Sequence, residues 1–268
     1  MKFIPKHLFL TICFGLAAAW PQQAGAVNLI TNGNFSSTNL SLTNTQIGFA
    51  GGAVDGWVSG TVATPLVADL KYNFIVGPGT IDSTGVLTKY NSQLTLYGTQ
   101  NAIVLPATAQ PAGLNVIPSS SPDGGNYLAL DGAFEVGPLS QQLSGLTIGN
   151  SYDLTFYMAA GQQSGYEAPL GLTEKFQVTL GGQTLSTPVI NYANRGFVDW
   201  SLVKLTFTAD SVNPILSFLS VGTPDGQPPF ALLDGVSLEA VPEPSTCLVG
   251  TMLFGGLALR RSRRSNHA

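Results

Sequence analysis

Histidine and cysteine are missing from the long middle of this 268-residue chain. His7, His267, Cys13 and Cys247 all lie near the termini, outside residues 27–241. Their absence excludes Ser-His-Asp and Cys-His nucleophilic catalysis from this middle segment, along with the usual zinc and copper ligands and any disulfide. No glycine-rich stretch is followed by the lysine of a phosphate-binding loop. The middle segment must therefore be stabilised by burial of apolar surface.

Charge is also scarce, at 10% of residues with a net charge of −4, against about 25% charged residues in an ordinary soluble domain. Residues 27–241 hold five basic and 14 acidic side chains, a net charge of −9. Such a surface repels nucleic acid and anionic lipid, and it suits hard cations. A mean hydropathy of +0.23 excludes a disordered acidic chain. The length allows one large domain or two small ones.

The N-terminus has the three parts of a secretory signal. Lys2 and Lys6 precede an apolar run over residues 8–19, and Ala24-Gly25-Ala26 provides the small residues that a signal peptidase requires. The pattern predicts a signal helix within residues 1–26 and cleavage between Ala26 and Val27. A buried N-terminal helix is the alternative, although Pro21 would end it early.

The C-terminus carries a second short apolar stretch, over residues 246–259, with arginines directly after it. As a helix it would span about 22 Å, less than the roughly 30 Å hydrocarbon core, so it can enter a membrane only if the arginines snorkel. The positive-inside rule would keep those arginines cytoplasmic and the preceding domain exported. The arginines are Arg260, Arg261, Arg263 and Arg264.

The sequence Val241-Pro242-Glu243-Pro244-Ser245 stands directly before that apolar stretch. This Pro-Glu-Pro triplet, the short apolar stretch and the arginine cluster together resemble the PEP-CTERM sorting tail of Gram-negative bacteria over residues 241–264. The resemblance implies that Pro242, Glu243 and Pro244 are recognised by an exosortase, a membrane transpeptidase that removes the tail near the triplet. A plain tail anchor is the alternative.

Between the termini, apolar and polar residues alternate with the period of β-strands. Residues 151–159 alternate around Phe156, residues 176–180 lead into a Gly181-Gly182 hairpin turn, and residues 203–208 repeat the pattern. Residues 215–221 have the mostly apolar composition of a central strand, and residues 232–238 form the last one. The pattern predicts an all-β antiparallel sandwich or jelly roll over residues 27–240. Residues 59–122 are predicted to be an insertion or a small subdomain.

Several segments, in order, resemble the strands of galactose-binding-like jelly rolls, over about two-thirds of residues 27–241. They are Asn28–Phe35, Gly56-Trp57, Gly124–Gly132, Leu139–Leu143, Tyr152–Phe156 and Leu233–Leu238. The sequence departs from the family at Ser36, where Glu is usual, and in the length of the insertion. The resemblance implies glycan binding and a structural Ca²⁺ held by Asn34, Asp131 and Asp234. Turn-forming roles before glycine are the alternative for Asp131 and Asp234.

Sugars stack on aromatic rings and hydrogen-bond to amides and carboxylates, so residues 191–200 are the richest candidate glycan site. Tyr192, Asn194, Arg195 and Trp200 lie together there, and Trp57 is a further candidate. Core packing is the alternative for the two tryptophans, and a surface ion pair is the alternative for Arg195.

Together these features predict an exported, non-enzymatic protein of a bacterial envelope or extracellular matrix, anchored transiently in the inner membrane. The predicted partners are signal peptidase, exosortase, the membrane through the tail, and an exopolysaccharide or cell-surface glycan, without nucleic acid. Beyond structural calcium, no cofactor is expected. One alternative is a structural matrix protein with no specific ligand. Another is a weak glycoside hydrolase that uses two carboxylates among Asp131, Glu135, Glu167 and Glu174.

Overall fold

The computed structural model describes residues 27–40, 45–48, 51–60, 71–77, 94, 96 and 121–242. Ala26, Glu243, Pro244 and the arginines at 260, 261, 263 and 264 lie outside the described residues, as do both predicted terminal helices and most of the 59–122 insertion. Among the residues that are described, no helix is long and apolar enough to cross a membrane.

The described part of the chain is built from twelve β-strands. In chain order they are β1 Thr45–Gln46, β2 Val58–Ser59, β3 Asn73–Val76, β4 Tyr127–Asp131, β5 Leu139–Gln142, β6 Ser151–Gln162, β7 Leu172–Leu180, β8 Gln183–Ser186, β9 Ile190–Tyr192, β10 Phe197–Thr208, β11 Ile215–Thr223 and β12 Pro229–Ala240. All of their pairings are antiparallel.

The strands form two sheets. Sheet I has the order β1-β3-β4-β12-β6-β10, and sheet II has the order β2-β5-β11-β7-β8, with β9 also on β7. Residues 215–221 and 232–238 lie in the central strands β11 and β12, and Gly181-Gly182 connects β7 to β8. Gly181 has φ +59°, a left-handed conformation that favours glycine in a tight hairpin. The prediction of an all-β antiparallel sandwich is confirmed.

Alternating residues of both sheets meet in the core between them. Phe156 of β6, Phe176 of β7 and Phe218 of β11 pack edge to face, with ring centroids 5.2–6.0 Å apart. Edge-to-face rings add specific stabilisation beyond the burial of their surface. The predicted apolar face of β6 is buried throughout: Tyr152, Leu154, Phe156 and Met158 are at most 4% exposed.

Sheet I carries a second apolar cluster on its outer face. Phe74, Tyr127 and Phe230 lie there, and Leu94 and Leu96 of the insertion are fully buried against it. The cluster explains why β4 and the first half of β12, up to Leu233, are apolar at nearly every position and not only at alternate ones: these parts of the strands are buried on both faces. The insertion therefore contributes to the core of the sandwich at these two positions.

The first predicted strand needs correction. Residues 28–35 run beside β12, where the Leu29 amide donates to the Leu238 carbonyl and the Val236 amide to the Gly33 carbonyl. They form no regular strand, because Asn32 (φ +53°) and Phe35 (φ +51°) adopt left-handed conformations that break the ladder.

Candidate functional site

A cleft of about 940 Å³ opens at one end of the sandwich. Its walls come from the β6–β7 loop, the start of β7, strand β9 with the turn after it, and the β11–β12 loop. The lining residues are Glu167, Ala168, Pro169, Leu170, Gly171, Leu172, Thr173, Asn191, Tyr192, Ala193, Asn194, Thr223, Pro224 and Gln227. Loops at the end of a rigid sandwich are a usual location for binding sites.

An ion pair joins two walls of the cleft. The Arg195 Nε donates to Glu167 Oε1 at 2.8 Å, and a second guanidinium nitrogen contacts the same oxygen. Asn194 Nδ2 donates to Glu167 Oε2 at 2.6 Å, while Asn194 Oδ1 accepts from the Ala168 amide at 2.6 Å. The hydrogen bonds from Arg195 and Asn194 hold the pKa of Glu167 below its usual range. The β9–β10 turn and the β6–β7 loop are thereby fixed to each other.

The cleft wall also presents neutral polar groups beside apolar ones. The hydroxyls of Thr173 and Thr223 are 2.7 Å apart, and Gln227 accepts a hydrogen bond from the Glu167 amide. Asn191 is exposed, and Leu170 lies fully in solvent at the rim. This combination can hydrogen-bond hydroxyl groups and cover apolar C–H surface of the same ligand.

Tyr192 forms the floor of the cleft and is 8% exposed. Its hydroxyl is buried near the carboxyl groups of Glu174 and Asp131; burial first, and then these two charges, raise the pKa of Tyr192 well above its usual value. Tyr192, Asn194 and Arg195 are therefore brought together as the sequence predicts, although Tyr192 presents only a small part of its ring. Arg195 also forms an ion pair with Glu167 at the surface, which is the alternative to a glycan-binding role for this residue.

The two tryptophans lie elsewhere. Trp57 is 4% exposed, packs against Phe35 and Phe218, and donates from Nε1 to the Asn32 carbonyl at 3.1 Å. Trp200 is half-buried against Tyr127 in the second apolar cluster, with ring centroids 5.2 Å apart. Neither tryptophan lines the cleft, and Trp57 has core packing as its role.

The predicted calcium donors are not gathered at one point. Asp131 lies opposite Phe230 in the sheet, whereas Asp234 is four residues further along β12, a distance of about 13 Å. Asp131 instead accepts the amides of Ala133, Phe134 and Glu135, as a turn residue does. Among the described residues, no group of three or more His, Cys, Asp or Glu side chains is positioned to hold a metal.

Asp234 by itself still fits a cation. Its Oδ2 accepts from the Ser121 hydroxyl, and its buried Oδ1 has no hydrogen-bond partner. Burial, and then the nearby Asp123 charge, raise the pKa of Asp234 to about 7. Asn34 lies near Asp234, because the preceding residue Gly33 accepts a hydrogen bond from the Val236 amide, two residues after Asp234. The side-chain oxygen of Asn34, however, already accepts a hydrogen bond from the Ser36 hydroxyl. A structural Ca²⁺ held by Asp234 and Asn34 therefore stays a prediction.

Four carboxylates are candidates for hydrolysis, and only Glu167 lines the cleft. Glu135 lies 3.8 Å from the Lys71 ammonium. Asp131 and Glu174 are 1% and 0% exposed, and Glu174 Oε2 has no hydrogen-bond partner. Desolvation raises the pKa of both buried groups, most strongly that of Glu174. No sequence motif indicates that Glu174 is buried. The signal is its place in the β7 alternation, where the other residues on the same face are apolar.

No known protein-family profile matches the sequence. Halomucin of Haloquadratum walsbyi is 32% identical over 127 residues, which are 47% of this chain and 1% of halomucin. This chain thus spans only a very small part of that protein.

Several solved structures are similar to this chain at low TM-score. TmCBM61 in complex with beta-1,4-galactotriose has a TM-score of 0.37 at 12% identity and covers 80% of this chain and 99% of its own. A CBM22-1-GH10 part of the Clostridium thermocellum xylanase 10B has a TM-score of 0.33 at 10% identity, covering 79% of this chain and 29% of its own. A family 16 carbohydrate-binding module has a TM-score of 0.28 at 14% identity, covering 46% and 83%.

Proposed function

We propose that this protein is exported, displayed on a bacterial surface through its C-terminal tail, and binds a carbohydrate chain in the end cleft without transforming it. The observation that carries the binding proposal is the chemistry of the cleft wall. The lining combines polar groups, Asn191, the Thr173–Thr223 hydroxyl pair and Gln227, with the apolar Leu170 and two prolines. A sugar ring has the matching pattern, with hydroxyls around its edge and C–H groups on its faces.

The charges of the cleft favour a neutral glycan over an anionic one. Arg195, the basic residue beside the cleft, is already engaged by Glu167. The whole segment from 27 to 241 has a net charge of −9, which repels polyanions. We therefore expect a neutral polysaccharide as the ligand class.

A glycan array with the purified protein tests this proposal. The double variant Asn191→Ala/Thr223→Val removes two polar groups of the cleft, and Asn213→Ala is the control, since Asn213 is an exposed amide beyond the opposite end of β11. Binding that is lost only in the double variant supports the proposal. An absence of binding by the wild-type protein favours a purely structural matrix role, and turnover of the glycan that depends on Glu167 favours a hydrolase.

Display is tested separately, by mass spectrometry of the protein from its native surface. The proposal expects a mature N-terminus at Val27 and loss of residues 246–268, because signal peptidase and exosortase would act at Ala26 and at the Pro242-Glu243-Pro244 triplet. An intact tail would instead identify a tail-anchored protein. A protein that retains residues 1–26 in the cytosol would overturn export.

A further inference from the structure

Strand β10 is a long edge of sheet I whose free side is a candidate for pairing with another strand. It pairs with β6 on one side only. The Ala209 amide donates to Asn150 on the β6 side, whereas the Thr208 amide donates to Gln183 Oε1 on the other side. The backbone amides and carbonyls of successive residues in a strand point to opposite sides. Counting back from Thr208, those of Leu202, Lys204 and Thr206 therefore face away from β6.

Within the described part of the chain, these three residues have no backbone partner on that side. An edge of this kind is a template for another extended chain, and proteins usually block it with proline, charge or a bulge. The bulge of β10 lies between Val198 and Ser201, before the free stretch. The one charged side chain of the stretch, Lys204, is bound to Asp153 of its own sheet at 2.7 Å.

Two exposed apolar side chains lie close to the edge, beside the polar Lys204 and Thr206. Leu202 is 62% exposed, and Val189, on the neighbouring edge of sheet II, is 51% exposed. Between them a groove of about 290 Å³ is lined by residues that include Met158, Pro188 and Val203. Pairing along β10 would cover both the backbone groups and this groove.

We propose that β10 pairs antiparallel with β10 of a second copy of this chain, joining two copies of sheet I into one continuous sheet. A two-fold axis gives both copies the same contacts, so a single edge completes itself. Three registers, centred on Val203, Lys204 or Leu205, pair two or more of the outward-facing residues 202, 204 and 206 with each other. The Lys204-centred register places Lys204 opposite Lys204 and is disfavoured by like charge. The Leu205-centred register pairs Lys204 with Thr206 and places the exposed Leu202 opposite Thr208, whose amide already donates to Gln183. The Val203-centred register places Leu202 of each copy opposite Lys204 of the other.

The Val203-centred register is the one that the side chains favour. The apolar stem of each Lys204 covers the exposed Leu202 of the partner, while its ammonium stays on Asp153 of its own copy. The two grooves meet at the axis, where the two Val203 side chains lie next to each other. Leu202 and Lys204 then exchange four backbone hydrogen bonds between the copies.

Charge variants at Leu202 test both the pairing and its register, with the full-length protein in detergent and sedimentation equilibrium as the measurement. Leu202→Lys places lysine opposite lysine twice per dimer and is expected to raise the dimer dissociation constant about tenfold or more. Leu202→Glu places a carboxylate opposite Lys204 and is expected to keep or tighten the dimer, less so at high salt. Ile148→Lys, at a loop residue that is 60% exposed, is the matched control and is expected to change nothing.

A wild-type protein that stays monomeric over the accessible concentration range overturns the proposal, whatever other partner it binds. A dimer that Leu202→Lys leaves intact also overturns it, because association would then occur elsewhere, for instance through the apolar tail. Equal weakening by Leu202→Lys and Leu202→Glu overturns the Val203-centred register.

Discussion

Arg195 holds Glu167 across the mouth of the end cleft, with its Nε 2.8 Å from Glu167 Oε1. The two residues are 28 positions apart and belong to different loops. Asn194 binds the other oxygen of the same carboxylate. The ion pair therefore helps to set the distance between the two loops that form the walls of the cleft.

Arg195→Gln should therefore weaken glycan binding more than it weakens the fold. Both partners are partly exposed, and pairs of this kind contribute only about 0–1 kcal/mol to stability, so the melting temperature should change little. Loss of the guanidinium loosens the β6–β7 loop, which Asn194 and Gln227 still hold, and should lower glycan affinity about three- to tenfold, measured by calorimetry with a glycan found on the array.

Lys204→Gln is the control for that measurement, since it breaks a surface ion pair with Asp153 and neither of these residues lines the cleft. An equal loss of affinity in both variants, or no loss in Arg195→Gln, contradicts a positioning role for Arg195.

Trp57→Ala should destabilise the fold by about 3–5 kcal/mol, as expected for deletion of a large buried ring. Its indole packs against Phe35 and Phe218 in the core. Trp200→Ala should cost clearly less, because Trp200 is only half-buried. Urea denaturation of both variants measures the difference. A cost of about 1 kcal/mol or less for Trp57→Ala would contradict its place in the core, and glycan binding by the Trp200 variant should be unchanged.

Alternation was sufficient to predict the strands with one buried and one solvated face. Residues 151–158 and 203–208 behave in this way, and β6 and β10 run through them in the predicted pattern. Alternation could not predict that sheet I is covered on its outer face, because Leu94 and Leu96 come from a segment without a clear strand pattern. It also could not show that Trp57 lies in the core and Trp200 in the outer cluster, since their neighbours, Gly56 and Val58 or Asp199 and Ser201, do not decide which face is buried.

The site was predictable only in part, for a related reason. Tyr192, Asn194 and Arg195 are close in sequence and therefore close in space. Their partner Glu167 reaches them only through the pairing of β9 with β7 and the path of the β6–β7 loop. Contacts between loops depend on the sheet registers, which no local pattern contains.

Glu174→Gln should stabilise the protein at neutral pH and have little effect near pH 4. The Glu174 carboxyl is fully buried, and desolvation raises its pKa in the folded state well above the unfolded value of about 4.5. Stability from this group is therefore complete below pH 4.5 and is lost as pH rises from there through the folded pKa. Replacement by an uncharged isostere removes that loss, and a gain of about 1–2 kcal/mol is expected at pH 7.5.

Urea denaturation of the wild-type protein and the variant at pH 4.5 and pH 7.5 isolates this contribution, since the buried Asp131 is common to both proteins. A stability difference between the two proteins that does not change with pH would show that Glu174 keeps its ordinary pKa in the fold.

Calcium should raise the melting temperature at pH 7.5 and do so much less at pH 5, if Asp234 is a ligand. Without an ion the Asp234 carboxyl has a pKa of about 7, so at pH 5 it is protonated and the ion must displace a proton. At pH 7.5 it is mostly ionised and its unpartnered Oδ1 can accept the cation. An ion that binds only the folded state stabilises it by RT ln(1 + [L]/Kd).

Asp234→Asn should abolish the calcium-induced rise in melting temperature. Asp131→Asn is the control and should retain that rise. Asp131 lies about 13 Å away along the sheet, and its carboxylate already accepts three backbone amides. A melting temperature that responds to neither calcium nor chelator at pH 7.5 would leave Asp234 as a buried acid that titrates near neutral pH, with Ser121 as its partner.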